Sequence, residues 1–153
     1  MIIKTQAEHQ QALLKILQAS GQFDQEGLAY VADTLEAHFK NPDEAIWLTA
    51  IDKEPVGVAY CAAEAMTSGT WNLLMLWIKE GFDGQGFGKA LVEQIEKELA
   101  HRQARLLIVE TSQLPEFESA RQFYARLNFT LEAEVKNFFD AGDNKLILSL
   151  IHI

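Results

Sequence analysis

Lys79-Glu80-Gly81-Phe82-Asp83-Gly84-Gln85-Gly86-Phe87-Gly88-Lys89-Ala90-Leu91 is the stretch that decides how this chain folds. Bulky residues from Thr70 to Lys79 lead into it at the density of a strand. Beyond it, Leu91, Val92, Ile95 and Leu99 recur at helical spacing, with Glu93, Glu96, Lys97 and Glu98 on the opposite face. The stretch is therefore a strand-to-helix junction carrying four glycines. Successive glycines expose backbone N–H groups, and with the positive end of the following helix they form a site for a phosphate or pyrophosphate. The plainer alternative is a flexible turn using glycine to fit a tight corner. The strongly amphipathic helix that follows immediately favours the anion site.

Two other phosphate loops do not fit. A nucleotide triphosphate loop requires GxxxxGK followed by Ser or Thr, but Gly88-Lys89 is followed by Ala90, and Asp83 stands at the leading glycine position. A dinucleotide fingerprint requires GxGxxG; the spacing here is GxGxG, after a strand that belongs to an antiparallel meander.

Upstream of the junction the apolar period is two. Ala45–Ile51 and Val56–Ala65 alternate as strands around the turn Asp52-Lys53-Glu54-Pro55, and Thr67-Ser68-Gly69 turns the chain into Thr70–Lys79. That third strand is nearly continuous in apolar residues and is expected to be buried on both faces. Earlier still, Ile2–Thr5 reads as a strand. Ala7–Ser20 places Ala12, Leu13, Ile16 and Leu17 at helical spacing, stopped by Gly21. A second helix from about Glu26 to Lys40 buries Leu28, Val31, Ala32 and Leu35, and Asn41-Pro42 ends it. Downstream of the long helix, Arg105–Thr111 is a short buried strand. A helix over Glu116–Leu127 then groups Ala120, Phe123, Tyr124 and Leu127 on one face. Strands Thr130–Phe138 and Lys145–Ile151 flank the turn Ala141-Gly142-Asp143-Asn144. The order is β-α-α-β-β-β-α-β-α-β-β, an α/β fold with a mixed sheet and a crossover helix in its middle.

The 153 residues contain no repeat, low-complexity tract or linker, so residues 1–153 read as one domain. The longest apolar run, Leu73–Ile78, is far shorter than the roughly 20 residues of a membrane span. Met1-Ile2-Ile3-Lys4 reads as a strand rather than a leader. The single Cys61 cannot form an internal disulfide, which suits a cytoplasmic location. With 22 acidic and 13 basic residues the net charge is −9, an argument against nucleic acid or an anionic membrane as partner. Residues 1–80 carry 11 acids and 5 bases, against 11 and 8 in residues 81–153. The acidic first half favours a cationic ligand, or simply keeps the protein soluble.

With the junction and the element order in place, the chain resembles the GNAT family of N-acetyltransferases, which bind acetyl-CoA. The family's element order covers the whole chain. Its pyrophosphate motif, Gln/Arg-x-x-Gly-x-Gly/Ala, is similar to Asp83-Gly84-Gln85-Gly86-Phe87-Gly88. A second signature, an alanine and a Phe-Tyr pair before Leu-Gly-Phe, is similar to the segment running from Ala120 through Phe123-Tyr124 to Leu127-Asn128-Phe129. Two positions depart from the pattern. Asp83 replaces Gln or Arg, removing a phosphate contact and adding repulsion. Asn128 replaces glycine, a mild change because asparagine tolerates the left-handed conformation.

The resemblance implies a mixed seven-stranded sheet in one GNAT-like domain, acetyl-CoA as co-substrate, and direct attack by an amine in a ternary complex. It also implies that Leu76, Trp77 and Ile78 meet pantetheine through their backbone, where an N–H polarises the thioester carbonyl. Gly84, Gln85, Gly86, Phe87, Gly88 and Lys89 would hold the pyrophosphate, and Ala120, Phe123 and Tyr124 would complete the cofactor side. Tyr124 is the implied general acid for the departing sulfur, a phenol pKa near 10 lying close to that of a thiol; the alternative is a core tyrosine.

For the base, Glu80 ends the strand before the loop and Glu110 ends the next parallel strand, where ligands gather in α/β sheets. Glu64 is a third option and solvent a fourth; Glu110 is favoured. Lys89, Arg121 and Arg126 reach phosphates or are solvated helix charges. Phe138-Phe139-Asp140 borders an acceptor pocket or packs on itself. His9, His38, His101 and His152 show no metal-ligand spacing, so no metal is expected. Ser68, Ser112 and Ser119 lack a GxSxG context. The competing function is a non-catalytic acyl-CoA-binding regulatory module, which Asp83 supports. A different donor such as succinyl-CoA lacks a clearly placed basic partner. The apolar end Leu146–Ile153 either pairs as a strand across a homodimer or is buried in the sheet.

Overall fold

In the computed structural model, which describes residues 1–151, the strands are β1 (Ile2–Lys4), β2 (Ala45–Asp52), β3 (Glu54–Ala63), β4 (Thr70–Ile78), β5 (Leu106–Ser112), β6 (Thr130–Asp140) and β7 (Asp143–Ile151). The helices are α1 (Gln10–Ala19), α2 (Gln25–Lys40), α3 (Phe87–His101) and α4 (Glu118–Arg126), with 3₁₀ turns at Ala7–His9 and Pro115–Phe117. The first and fourth helices are thus each split from a one-turn 3₁₀ lead-in that periodicity alone merges with them. The strands form one seven-stranded sheet in the order β1-β2-β3-β4-β5-β7-β6. β4 and β5 pair in parallel and β5, β7 and β6 antiparallel, so the sheet is mixed.

The chain divides into two compact units drawn from separated stretches. The first holds Met1–Ala62 and Met75–Leu99. Its core joins Leu13, Ile16 and Leu17 of α1 to Val31 and Leu35 of α2, Trp47 of β2 and Val58 of β3, with Phe23, Tyr60, Met75 and Trp77 packed against them. The predicted helical stripes are the ones that bury. Trp47 stacks on Tyr60 with ring centres 4.3 Å apart, and Asp24 caps α2 by accepting the Gly27 N–H at 2.7 Å. The β2–β3 connection is tighter than its sequence suggests. Asp52 pairs Glu54, and only Lys53, at φ 65°, lies between the strands, so Pro55 belongs to β3. Gly57 lets neighbouring layers close in: a Cβ there would stand 2.9 Å from Ile78 Cδ1 and 3.3 Å from Leu91 Cδ1.

The second unit holds Ala63–Leu74 and the chain from Ala100 onward. Leu107, Val109, Tyr124, Phe129 and Leu148 are buried in it. Arg105 fastens its first turn, its backbone N–H reaching Gly69 O at 2.8 Å and its guanidinium Nε reaching Ser68 O.

Two expectations are overturned. β4 is not buried on both faces: Trp71–Leu73 are buried, but Leu74 is 53% exposed and Met75–Ile78 are half-buried. Nor is Leu146–Ser149 open to pair across a dimer. β7 has β5 on one side and β6 on the other, and over Lys145–Ser149 both of its edges are already hydrogen-bonded. His152 and Ile153, which that expectation also included, lie outside the described residues. The outer strand is instead β6, exposed along its length and irregular between Val135 and Asp140, where Asn137 takes φ 56°.

Candidate functional site

The glycine junction lies wholly in the first unit. β4 ends at Ile78, and Lys79 N–H bonds Val56 O at 2.7 Å before the chain turns away. Gly81, Gly84 and Gly86 take φ of 90°, 74° and 88°, a region that side chains strain to enter. A Cβ at any of these three would meet nothing within 4 Å. Backbone conformation, not crowding, therefore selects glycine, and the surroundings are open enough for a ligand. Ala90 N–H closes the first turn of α3 on Gly86 O at 3.0 Å. The amides of Phe87, Gly88 and Lys89 precede that turn and have no helical acceptor. Backbone N–H groups without helical acceptors at a helix N-terminus suit an anion.

The side chains around the junction are less committed to an anion. Gln85 turns inward, its Nε2 donating to Gly81 O at 3.3 Å. Lys89 is exposed, 3.8 Å from Glu93. Lys79 pairs Glu54 at 2.6 Å and lies 5.8 Å from the Phe82 ring centre, and the Lys79 ammonium holds the Glu54 carboxyl below the usual carboxylate range. Asp83 is exposed. Glu80 is exposed too, and it sits in the turn two residues past the end of β4 rather than at the strand end where the sequence suggests it. Leu76, Trp77 and Ile78 are half-buried at the end of β4. The Trp77 side chain is engaged edge-on with Phe23 at 5.8 Å.

In the second unit four polar residues converge. Asn72, 3% exposed in β4, donates Nδ2 to Glu64 Oε1 at 2.8 Å and to Glu110 Oε1 at 3.0 Å. Lys145 Nζ holds the other oxygen, Glu110 Oε2, at 2.6 Å, with side-chain exposures of 13% and 30%. The same ammonium lies 4.0 Å from the centre of the Phe138 ring, and Phe138 packs edge-on to Phe139 at 5.1 Å. β5 delivers Glu110 here because its pairing with β4 runs from Leu106 to Ile108, opposite Thr70–Asn72, and Glu110 lies two residues further along. Glu64 lies one residue past the end of β3 and not within it.

The sequence alone does not single out Asn72 or Lys145 as site residues. Asn72 does leave a signal, a lone polar residue in Thr70-Trp-Asn-Leu-Leu-Met-Leu-Trp-Ile78. Lys145 leaves none, because only the β5–β7 register brings it to Glu110.

Tyr124 is buried on α4, its ring edge-on to Phe123 at 5.2 Å and to Phe129 at 5.4 Å. Burial pushes its phenol well above the ordinary tyrosine range. Ala120, one turn earlier on α4, and Phe123 are half-buried beside it. Asn128 takes φ 71°, the left-handed conformation its place before Phe129 demands. Arg121 is spent on structure, donating Nη1 to Ser112 O at 2.8 Å and Leu114 O at 2.9 Å. Ser112 Oγ in turn donates to Asp143.

Residues 11–129, which contain both the glycine junction and the Tyr124 segment, match the sequence model of the acetyltransferase (GNAT) family. The chain belongs to the GNAT acetyltransferase family. No curated protein matches it. Among solved structures, this GNAT chain is similar to a protein described as a GNAT-family acetyltransferase from Desulfovibrio desulfuricans, with 23% identity, TM-score 0.91, and 99% and 98% of the two chains covered. It is also similar to an aminoglycoside 6'-N-acetyltransferase complexed with coenzyme A, with 17% identity, TM-score 0.82, and 100% and 97% covered. A third likeness is to a protein from Salmonella typhimurium described as an acetyltransferase with its cofactor acetyl-CoA, with 12% identity, TM-score 0.81, and 99% and 92% covered. At these identities the likenesses establish the GNAT fold. Lys145 and Phe138 lie beyond the segment matched by the family. Among the described residues, no cluster of three or more His, Cys, Asp and Glu is placed to hold a metal, and no helix is long and apolar enough to cross a membrane.

Proposed function

We propose that residues 1–153 act as one cytoplasmic N-acetyltransferase domain that transfers the acetyl group of acetyl-CoA to a primary amine of a small molecule or peptide. The observation that carries this is the junction after β4, with three left-handed glycines in open surroundings at the N-terminus of α3, in a chain of this family. In the proposal Gly84–Lys89 hold the pyrophosphate, chiefly through backbone N–H groups, and the backbone of Leu76–Ile78 meets pantetheine. Ala120 and Phe123 contribute to the cofactor side.

The neutral amine attacks the thioester carbonyl carbon in a ternary complex, and a backbone N–H holds the oxyanion. As the intermediate collapses, the C–S bond breaks. Glu110, directly or through water, takes the proton from the nitrogen; Glu80, exposed in the turn, is the weaker candidate. Tyr124 serves the departing sulfur. An ordinary phenol, at about pKa 10, already holds its proton more tightly than a thiol at about 8.5, and burial tightens that hold further. Tyr124 therefore acts mainly as a hydrogen-bond donor that stabilises the thiolate until water supplies the proton it gains. Glu64 and Glu110 together outnumber the single Lys145 between them, which favours a cationic amine as acceptor.

A second reading, an acyl-CoA-binding module without turnover, is favoured by Asp83, an exposed carboxylate in the phosphate loop. Calorimetric titration with acetyl-CoA, using CoA and ATP as controls, followed by thiol release with a panel of amines, separates the two. Micromolar acetyl-CoA binding, no response to ATP, and amine-dependent thiol release support the enzyme. Binding without thiol release favours the module, and no binding at millimolar acetyl-CoA removes both.

A further inference from the structure

We propose that Asn72 and Lys145 are positioning residues that fix the Glu110 carboxylate for acetyl transfer; this rests on Glu110 as the proton acceptor. Asn72 interrupts an apolar strand between the buried Trp71 and Leu73. Its buried Oδ1 has no protein hydrogen-bond partner among the described residues, and what the amide provides is direction. Its two Nδ2 hydrogens go to two carboxylates, Glu64 at 2.8 Å and Glu110 at 3.0 Å.

Lys145 completes the arrangement from β7, at 2.6 Å from the opposite Glu110 oxygen. One donor on each oxygen fixes both the rotamer and the plane of the carboxylate. A carboxylate has about four lone-pair sites, so each oxygen retains room for an amine or a water. Phe138 keeps the Lys145 ammonium in place from a third strand. A buried polar residue in an apolar strand, with its side-chain amide given to one carboxylate pair, is what a site tuned for function contains.

The test uses Lys145→Met, Lys145→Arg and Asn72→Leu in the full chain, with thiol release from acetyl-CoA measured against 1,4-diaminobutane and lysine amide. Misorientation of a reacting group costs about 10²-fold in rate. The expected result is a kcat loss of that order for Lys145→Met and Asn72→Leu, with KM for acetyl-CoA unchanged and most of the rate recovered in Lys145→Arg. In protein carrying ¹³C-labelled glutamate, the Glu110 carboxyl signal moves in both defective variants while that of Glu116 stays. Wild-type kcat in both Lys145→Met and Asn72→Leu, or an unmoved Glu110 signal, overturns the proposal. If Asn72→Leu does not fold, the Lys145 pair decides alone. Glu110→Gln keeps the two levels apart. Loss of turnover in Glu110→Gln with intact Lys145→Met and Asn72→Leu overturns the positioning role only. Wild-type turnover in Glu110→Gln, or no thiol release by the wild type, overturns the underlying reading as well.

Discussion

Lys145 Nζ lies 2.6 Å from Glu110 Oε2 and 4.0 Å from the centre of the Phe138 ring, so one ammonium ties β5, β7 and β6 together at a single point. The pair is partly buried, at 13% and 30% side-chain exposure, and this sets what breaking it does. Lys145→Met leaves a half-buried carboxylate without its cation and is expected to cost about 1–3 kcal/mol. Adding Glu110→Gln to it removes the orphaned charge, so the double variant is expected to be more stable than Lys145→Met alone. Urea unfolding of the four proteins of this cycle checks the order.

Tyr124 makes stability fall in alkali. Its folded-state pKa is raised by burial, so below about pH 10 both folded and unfolded chains keep the proton and the stabilisation is complete. Above that, the unfolded chain releases a proton that the folded chain retains, and stability declines by about 1.4 kcal/mol per pH unit. Tyr124→Phe lacks this decline. Tyr60, also raised by burial, retains its own share, and Tyr60→Phe is the control. Equal slopes for wild type and Tyr124→Phe between pH 10 and 11 would be inconsistent with the buried phenol. The same Tyr124→Phe protein is expected to bind acetyl-CoA as the wild type does while turning over more slowly.

Gly86 sits at φ 88° with no atom within 4 Å of a Cβ position. Gly86→Val is therefore expected to lose about 1–2 kcal/mol through backbone strain alone, and at least tenfold in acetyl-CoA affinity through displaced amides. Asp83→Gln is expected to do the opposite to affinity, with a gain that shrinks as salt rises. Calorimetry at low and high ionic strength checks both. A salt-independent gain in Asp83→Gln would mean that repulsion is not what Asp83 contributes.

Gly57→Ala tests the packing behind the end of β4. Its Cβ would meet Ile78 Cδ1 at 2.9 Å and Ala50 Cβ and Leu91 Cδ1 at 3.3 Å, so overpacking is expected to cost about 1–3 kcal/mol. A neutral result in urea unfolding would show that Ile78 and Leu91 can move aside.

What the sequence carries is whatever depends on near neighbours. Leu91, Val92, Ile95 and Leu99 share a helix face by spacing, and all four are buried. Gly84 and Gly86 mark a turn between strand and helix, and a turn is there, with both glycines left-handed. The Asn128 substitution reads as conformational, and its φ agrees. What the sequence does not carry depends on register between distant strands. Nothing near Lys145 marks it as the partner of Glu110, because the pairing of Ser112 with Lys145 and of Glu110 with Ile147 settles their proximity. Strand order is hidden for the same reason. An apolar β7 is compatible with an edge that joins two molecules or with a place between neighbours, and only the ladder to both β5 and β6 distinguishes them.

That placement also has a consequence for a chain that ends early. β7 follows in sequence both strands it joins, so a chain cut before Asp143 holds β5 and β6 without the strand that links them. Seven residues of β5, from Leu106 to Ser112, pair with β7, so in such a fragment an apolar strand keeps a bare hydrogen-bonding edge. Fragments lacking Asp143–Ile151 are thus exposed to strand-mediated association.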